Sequence, residues 1–450
     1  MLQMSRGRLF ALGFTTMHFF ARISALGKVP TCIQPGARFR ITFNKTGNTL
    51  TMKNFPLRLG IAGLGRAFTI MLPTFIHDGR IRLAGATDPI MASRARFESD
   101  FGAPTYESIE ALCAAPGVDA IYIATPHQFH ADHVCLAAAY GKHVLVEKPM
   151  AITVHECTRM IDAAHAAGIH LVVGPSHSFD TPIQRLRQLL DSGVYGRVRM
   201  ITAMDFTDFL YRPRRPEELD TQAGGGVVHS QAAHQIDIVR LLGGGLVNSV
   251  RAHTGAWDPA RPTEGAYSAL LGFEGGAFCS ATYSGYGHYD SDVLMDNIGE
   301  SGQRKDPADY GAARKRLLNA ESAEKEAALK AQRNYGGNLY TPSTVLRAGM
   351  AHQHFGHIVV SCDKADLRPT PSGIEIFADE TRSFETLTPP VLPRKEVIDE
   401  LCAAVIDSHA PVHSGEWARA TTEVCLAILE SARSQSDYTL RFQVAPARQA

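Results

Sequence analysis

From Leu57 onward, short runs of consecutive apolar residues alternate with segments whose apolar positions recur every three or four residues. Strands buried on both faces have the first pattern, and helices lying over them have the second. The alternation predicts strands at 57–63, 81–87, 119–125, 143–147 and 170–174. It places helices at 66–77 and 91–101 and further helices between the later strands. Around Ser176 the character changes. A helix at 182–192 leads into longer strands at 197–206, 247–253, 266–273 and 277–284. Glu274-Gly275-Gly276 links the last two as an antiparallel hairpin. Residues 301–335 are polar and charged, with a helix over 312–332, and read as an exposed excursion. Helices at 394–408 and 416–434 and a strand at 438–442 follow. The expected fold is α/β: a doubly wound parallel sheet, then an α+β domain with a large, mostly antiparallel sheet. The expected division is an extension over 1–51, a first domain over 52–175, a second over 176–390 with an excursion at 285–350, and C-terminal helices with a final strand over 391–450.

Charge changes the picture at one end. The 45 basic residues balance the 45 acidic ones over the 450-residue chain. Residues 1–51 hold seven of the basic residues (Arg6, Arg8, Arg22, Lys28, Arg38, Arg40, Lys45) and no acid. Removing those seven leaves 38 basic against 45 acidic, so the rest of the chain is mildly acidic. That disfavours a nucleic-acid partner. The apolar run within 9–21 is broken by Thr15, Thr16 and His18, too short and interrupted for a membrane span. The expectation is an upstream extension, disordered or not native, ahead of a start at Met52; a targeting segment is the alternative. The eight cysteines form no CxxC pair. They read as free thiols, with a cytoplasmic location expected.

Candidate chemistry begins at Gly60-Ile-Ala-Gly63-Leu-Gly65-Arg66-Ala67-Phe68, between the first strand and the first helix. Gly63 permits a tight turn, and Gly65 lets backbone approach a pyrophosphate held on the helix N-terminus. Asp88 closes the second strand, where a carboxylate accepts hydrogen bonds from ribose hydroxyls and repels a 2′-phosphate. This is the Rossmann dinucleotide pattern, with NAD as the expected cofactor. Phe68 stands at the third glycine position, from which looser helix–strand packing is expected.

Two further segments stand out. One runs Thr125-Pro126-His127-Gln128-Phe129-His130, then Gly141-Lys142-His143-Val144-Leu145-Val146-Glu147-Lys148-Pro149. The other is Gly224-Gly225-Gly226-Val227-Val228-His229-Ser230-Gln231-Ala232-Ala233-His234-Gln235-Ile236-Asp237. With the glycine loop, they resemble the glucose-fructose oxidoreductase, inositol dehydrogenase and rhizopine-catabolism family. The resemblance implies that Lys148 and His234 line the substrate pocket. It adds Thr125, Pro126, His127, His130, Glu147 and Lys148 to the expected cofactor site of Gly63, Gly65, Arg66, Ala67, Phe68 and Asp88. The residues support this physically. Lys148 ends a buried parallel strand at the edge where open α/β sheets bind ligands. His234 shares a helix face with Ser230 and Asp237, and a histidine is the usual general base. Asp237 either orients it or belongs to a separate network. Ser230 stands where sugar-oxidising members of the family have Asp. Ser178 stands where many have Arg. The pocket is therefore expected to take a different substrate, with His177, Ser230 and Asp237 among its lining residues.

Arg212, Arg214 and Arg215 fall within four residues, interleaved with prolines and preceded by aromatics. Arginine forks pair with carboxylates. This segment and several others resemble the family's phthalate cis-dihydrodiol dehydrogenase branch. That resemblance implies NAD-dependent oxidation of a dicarboxylated cis-dihydrodiol, 4,5-dihydro-4,5-dihydroxyphthalate, to the catechol 4,5-dihydroxyphthalate. The alternatives are a dehydrogenase of a sugar, inositol or another dihydrodiol, and a non-catalytic NAD-binding regulator. The remaining partner expectation is a homodimer or homotetramer, with no membrane partner. His352, His354, His357 and Asp363 are read as surface polarity on a loop, and no metal is expected.

Overall fold

The computed structural model describes residues 39–43, 50–54, 56–340 and 350–447. Its contacts divide into two units, Met1–Pro56 and Leu57–Ala450. In the first, Phe39–Phe43 and Leu50–Asn54 pair as antiparallel strands, so pairing runs across Met52. The remainder of the expected extension lies outside the described residues.

The second unit opens with β1 (Leu57–Ala62), α1 (Arg66–His77), β2 (Ile81–Thr87), α2 (Met91–Phe101), β3 (Thr105–Tyr106), α3 (Ile109–Ala114), β4 (Ala120–Ile123), α4 (His130–Ala139), β5 (His143–Val146), α5 (Val154–Ala167) and β6 (Leu171–Val173). The six strands form a parallel sheet in the order β3-β2-β1-β4-β5-β6. Every residue of β4 and β6 is buried, as helices on both faces require. The order reverses between β1 and β4. That opens a crevice beyond their carboxyl ends, the usual ligand position in such sheets.

The chain continues through α6 (Thr181–Asp191), β7 (Val198–Phe206), α7 (Ala233–Gly243), β8 (Val247–Gly255), β9 (Ala266–Phe273) and β10 (Phe278–Ser284). After these come α8 (Ala312–Leu317), α9 (Ala323–Ala331), β11 (His357–Cys362), β12 (Ala365–Thr370), β13 (Gly373–Ala378), β14 (Arg382–Thr386), α10 (Lys395–Asp407), α11 (Gly415–Ser434) and β15 (Tyr438–Thr439). The nine-stranded sheet runs β14-β13-β12-β11-β7-β10-β9-β8-β15. Only the β7–β10 pair is parallel. Its inner face (Ile201, Ala203, Leu271, Cys279, Ile358) packs with Ile236 and Val239 of α7 and Val424 and Ile428 of α11. Each large aliphatic side chain buried there contributes about 1.5–3 kcal/mol. Helix α11 also packs on α5, tying the two sheets together.

Four expectations differ from the structure. The four strands β11–β14 were not anticipated, because they are short and their outward positions break up the apolar runs. The 312–332 helix is two short helices, and the excursion does not simply lie in solvent. Glu326 is buried and accepts from the Arg261 guanidinium at 2.8 and 3.0 Å and from the Arg214 amide at 2.6 Å. Tyr335 is buried with its ring centroid 5.3 Å from that of Phe68. Phe68 is therefore tightly enclosed, with Phe97 on another side, and the looser packing expected from it does not occur. Finally, the last strand stops at Thr439. Glu423 takes the amides of Arg441 and Phe442 that a longer ladder would have used.

Candidate active site

Gly63 lies at the switch point with φ +95°, and a Cβ there would sit 2.9 Å from the Ala124 carbonyl. Only glycine fits that turn between β1 and β4. Gly65 is the opposite case: a Cβ would meet nothing within 4 Å. Helix α1 begins there without a side-chain cap and without an acid in its first turn. Its first amides and positive dipole end thus face open space, a fitting cradle for a pyrophosphate. Asp88 accepts from the Leu64 amide at 2.8 Å and from the Ile90 amide at 2.8 Å. It pins the glycine loop while keeping a carboxylate at the end of β2. The site fits a dinucleotide.

Some expected cofactor residues have other duties. His130 is buried, with its ring nitrogens 3.0 and 2.9 Å from the Pro149 and Thr125 carbonyls, and acts as a strut between two loops. Glu147 is buried and accepts from the Tyr122 hydroxyl. Phe68 faces the core. His127 lies against the 223–224 backbone, so close that a Cβ on Gly224 would be 2.6 Å from its Nε2. These four shape the crevice from behind or from the side. Arg66 remains exposed at its mouth.

Lys148 and His234 do come together. The Lys148 ammonium reaches from the end of β5 and donates to the Ser230 carbonyl at 2.8 Å. That carbonyl belongs to a π-helical turn, Val228–Ala232, immediately before α7. Such turns often mark functional positions. His234 is buried, and its Nδ1 has no hydrogen-bond partner. Burial pushes its pKa well below the usual histidine value, and the charges of Lys148, His177 and Arg394 push it further. Burial also lowers Lys148, to about 8, against the opposing pull of Glu147 and Glu300. His177 stands edge-on to His234 with ring centroids 4.8 Å apart. Burial disfavours its charge, but Asp180 at 2.7 Å and Glu300 at 3.4 Å outweigh that and raise it to about 9. The two carboxylates thus favour the imidazolium form of His177 at neutral pH.

Asp237 does not orient His234. It accepts from Trp417 Nε1 at 2.6 Å, from the Thr421 hydroxyl at 2.8 Å and from Ser178. It locks α7 to α11. The Ser230 hydroxyl donates to the Gly226 carbonyl, so only the backbone of Ser230 serves the site. The arginine loop is also redistributed. Arg214 lies over the Phe209 ring at 3.5 Å and donates to the Phe209 carbonyl at 2.7 Å, with Glu218 beyond. Arg215 pairs with Glu217 and Glu218. Arg212 lies 3.8 Å from Glu300 and 3.2 Å from Asp208, and the Arg214 charge also reaches Lys148.

Residues 57–175 match the GFO/IDH/MocA oxidoreductase family with its NAD-binding Rossmann fold, and residues 183–303 match the GFO/IDH/MocA C-terminal domain. The chain belongs to the GFO/IDH/MocA family. A relative from Comamonas testosteroni, 1-carboxy-3-chloro-3,4-dihydroxycyclohexa-1,5-diene dehydrogenase, is 48% identical over 380 residues, 84% of this chain and 96% of that protein. A crystal structure from Bordetella bronchiseptica RB50, assigned as a dehydrogenase, superposes with a TM-score of 0.80 at 40% identity. It covers 85% of this chain and 100% of that one. The WlbA dehydrogenase of Bordetella pertussis, solved with NADH and UDP-GlcNAcA, shares the fold with a TM-score of 0.58 at 21% identity. The match covers 86% of this chain and 99% of that one. The protein is an NAD-dependent oxidoreductase of the GFO/IDH/MocA type. No helix among the described residues is long and apolar enough to cross a membrane.

Against this family background, two site residues escaped sequence reading. Glu300 comes from the excursion taken as solvent-exposed, and is held well below the usual carboxylate range: burial opposes its charge, but His177, Arg212 and Lys148 outweigh that. Arg394 lies immediately before α10 and borders the recess lined by His177, Phe179 and His234. Neither has a motif around it. A left-handed backbone position at Arg394 (φ +56°) is visible only in three dimensions. The late histidines were read as surface polarity, but His352 and His354 are buried. His352 reaches the Thr388 carbonyl, His354 the Ile298 carbonyl and His357 the Arg368 guanidinium, while Asp363 binds Arg199. His357 begins β11 and does not lie on a loop.

Proposed function

We propose that this protein oxidises a carboxylated cyclohexadiene cis-diol to the corresponding catechol, with 4,5-dihydro-4,5-dihydroxyphthalate as the substrate that best fits the residues. The observation carrying the proposal is Lys148: a half-buried ammonium with a pKa near 8, beside an unpaired His234 Nδ1, at the carboxyl edge of the dinucleotide sheet. A general base works best with a pKa near the working pH. Lys148 carries the titration, and its charge helps hold His234 neutral. The pair accepts the hydroxyl proton most readily once Lys148 is neutral, and His234 then holds the diol in place through Nδ1. NAD, when bound, supplies the hydride acceptor. The hydroxyketone left behind tautomerises to a catechol, and aromatisation drives the reaction forward. A base of modest strength suffices, which accords with Ser230 in place of a carboxylate.

The relative from Comamonas testosteroni, named for a carboxylated diene diol, supports the substrate class. Two copies are further inferred to pack through the open sheet face, where Met200, Leu270, Phe278, Phe377 and Phe384 are exposed on one side. The deciding experiment follows NADH formation with 4,5-dihydro-4,5-dihydroxyphthalate, benzene cis-dihydrodiol, myo-inositol and glucose. Turnover of the carboxylated diol at least tenfold above the rest is expected. Preference for a neutral polyol would overturn the proposal.

A further inference from the structure

Two adjoining recesses share Asp180, Gln353 and Arg394. The first also holds His177 and His234. Arg394 is attached to the dinucleotide end of the molecule as well, because the carbonyl of its neighbour Pro393 accepts from Thr74 in α1. Its backbone is left-handed, although it precedes a helix, where such a conformation is uncommon for a residue with a side chain. This costs on the order of 1–3 kcal/mol, and such strain clusters at ligand clamps.

The side chain is placed with its fork free. Nε donates to Gln353 Oε1 at 3.2 Å. The terminal nitrogens have no hydrogen-bond or ion-pair partner among the described residues. The loop arginines differ: Arg214 and Arg215 face Glu218 and Glu217, and Arg212 shares Glu300 and Asp208. An arginine whose Nε is fixed and whose two terminal amino groups are open is oriented for a planar, bidentate acceptor. Asp180 in the recess is turned toward the His177 imidazolium, Glu396 lines the second recess and accepts from the Thr181 hydroxyl, and the Arg394 charge also acts on buried Glu147.

The structure assigns to Arg394, oriented by Gln353, the recognition of a substrate carboxylate in the recess beside His234. The assignment rests on the carboxylated-diol reading and names its specificity residue. Arg394 then reads one ring carboxylate, while Arg212 stays paired with Asp208 and Glu300.

The test compares wild type, Arg394→Gln and Arg394→Lys on the full chain. NADH formation is measured with 4,5-dihydro-4,5-dihydroxyphthalate and with benzene cis-dihydrodiol. Binding of phthalate to the NAD-saturated protein is measured by calorimetry. Arg394→Gln is expected to lower kcat/KM for the carboxylated diol about 10²-fold and for the uncarboxylated one less than about threefold. Arg394→Lys keeps the charge but loses the fork, and should fall between. Wild type should bind phthalate, and Arg394→Gln should not. Equal losses on both diols, or unchanged phthalate binding in Arg394→Gln, would overturn the assignment and leave the diol reading standing. So would a loss confined to NAD affinity. Failure of wild type to oxidise either diol would sink the functional reading, while Arg394-dependent phthalate binding would still support the anion subsite. If Arg394→Gln does not fold, the Arg394→Lys ratio between the two diols decides.

Discussion

At the glycine loop, Asp88 holds Leu64 and Ile90, and Gly63 turns against Ala124. These partners come from the ends of adjacent parallel strands, and short-range rules place them. On the substrate side, His177, His234, Glu300, Arg212 and Arg394 arrive from five separate segments, and their charges settle one another. There, Glu300 and Asp180 favour protonated His177, and His177 in turn helps keep His234 neutral. The difference teaches that a cofactor site built on a strand–turn–helix is carried by local geometry. A substrate site built from loops is carried by a balance of charge that no single segment contains.

The strongest test of that contrast is Lys148→Ala. Loss of the proton acceptor should lower kcat by about 10²–10⁴-fold with little change in NAD affinity, since the ammonium contacts the Ser230 backbone and not the glycine loop. Because burial lowers Lys148 to about 8, its neutral fraction grows as pH rises through that value. In wild type, kcat/KM should increase about tenfold per pH unit below about 8 and level off above it. His234→Ala should lose rate yet keep this profile. A profile that vanished with His234→Ala and survived Lys148→Ala would return the base to His234.

Two glycines divide the cofactor side itself. Gly63→Ala puts a Cβ against the Ala124 carbonyl at positive φ, and should destabilise the fold by about 1–3 kcal/mol, visible as a lower Tm. Gly65→Ala has room in the folded chain and should leave Tm nearly unchanged while weakening NAD binding. A matching drop in Tm for both would mean that the loop is packed throughout and not open at Gly65.

A smaller effect is expected from Asp88→Ser. The carboxylate both repels a 2′-phosphate and anchors two amides. Loss of both functions should weaken NAD by about tenfold, roughly 1.4 kcal/mol, while NADP binding improves or holds. Parallel weakening of both cofactors would reduce Asp88 to a loop anchor.

The sequence laid out five of the six strands of the parallel sheet, missing the short edge strand β3, and α1, β2 and α2 fall where apolar periodicity and glycine signals put them. It also brought Lys148 and His234 forward as one site, though through family resemblance more than spacing. It missed β11–β14 and the inward-facing excursion. The buried groups in the excursion include Tyr335 and Glu326, and Glu326, paired with Arg261 far along the chain, gives no apolar signal.

Family resemblance brought Lys148 and His234 forward; what the sequence determined by itself was the class of fold and the cofactor loop. Each follows from period, turn geometry or a short motif, all set within a few residues. Tertiary structure alone decided which cations are free. Arg214 is held by the Phe209 ring and carbonyl, Arg215 by nearby acids and Asp237 by Trp417 and Thr421, while Arg394 is left with an open fork. Charge is a property of the residue, but its availability depends on which opposite charges the fold brings within about 4 Å.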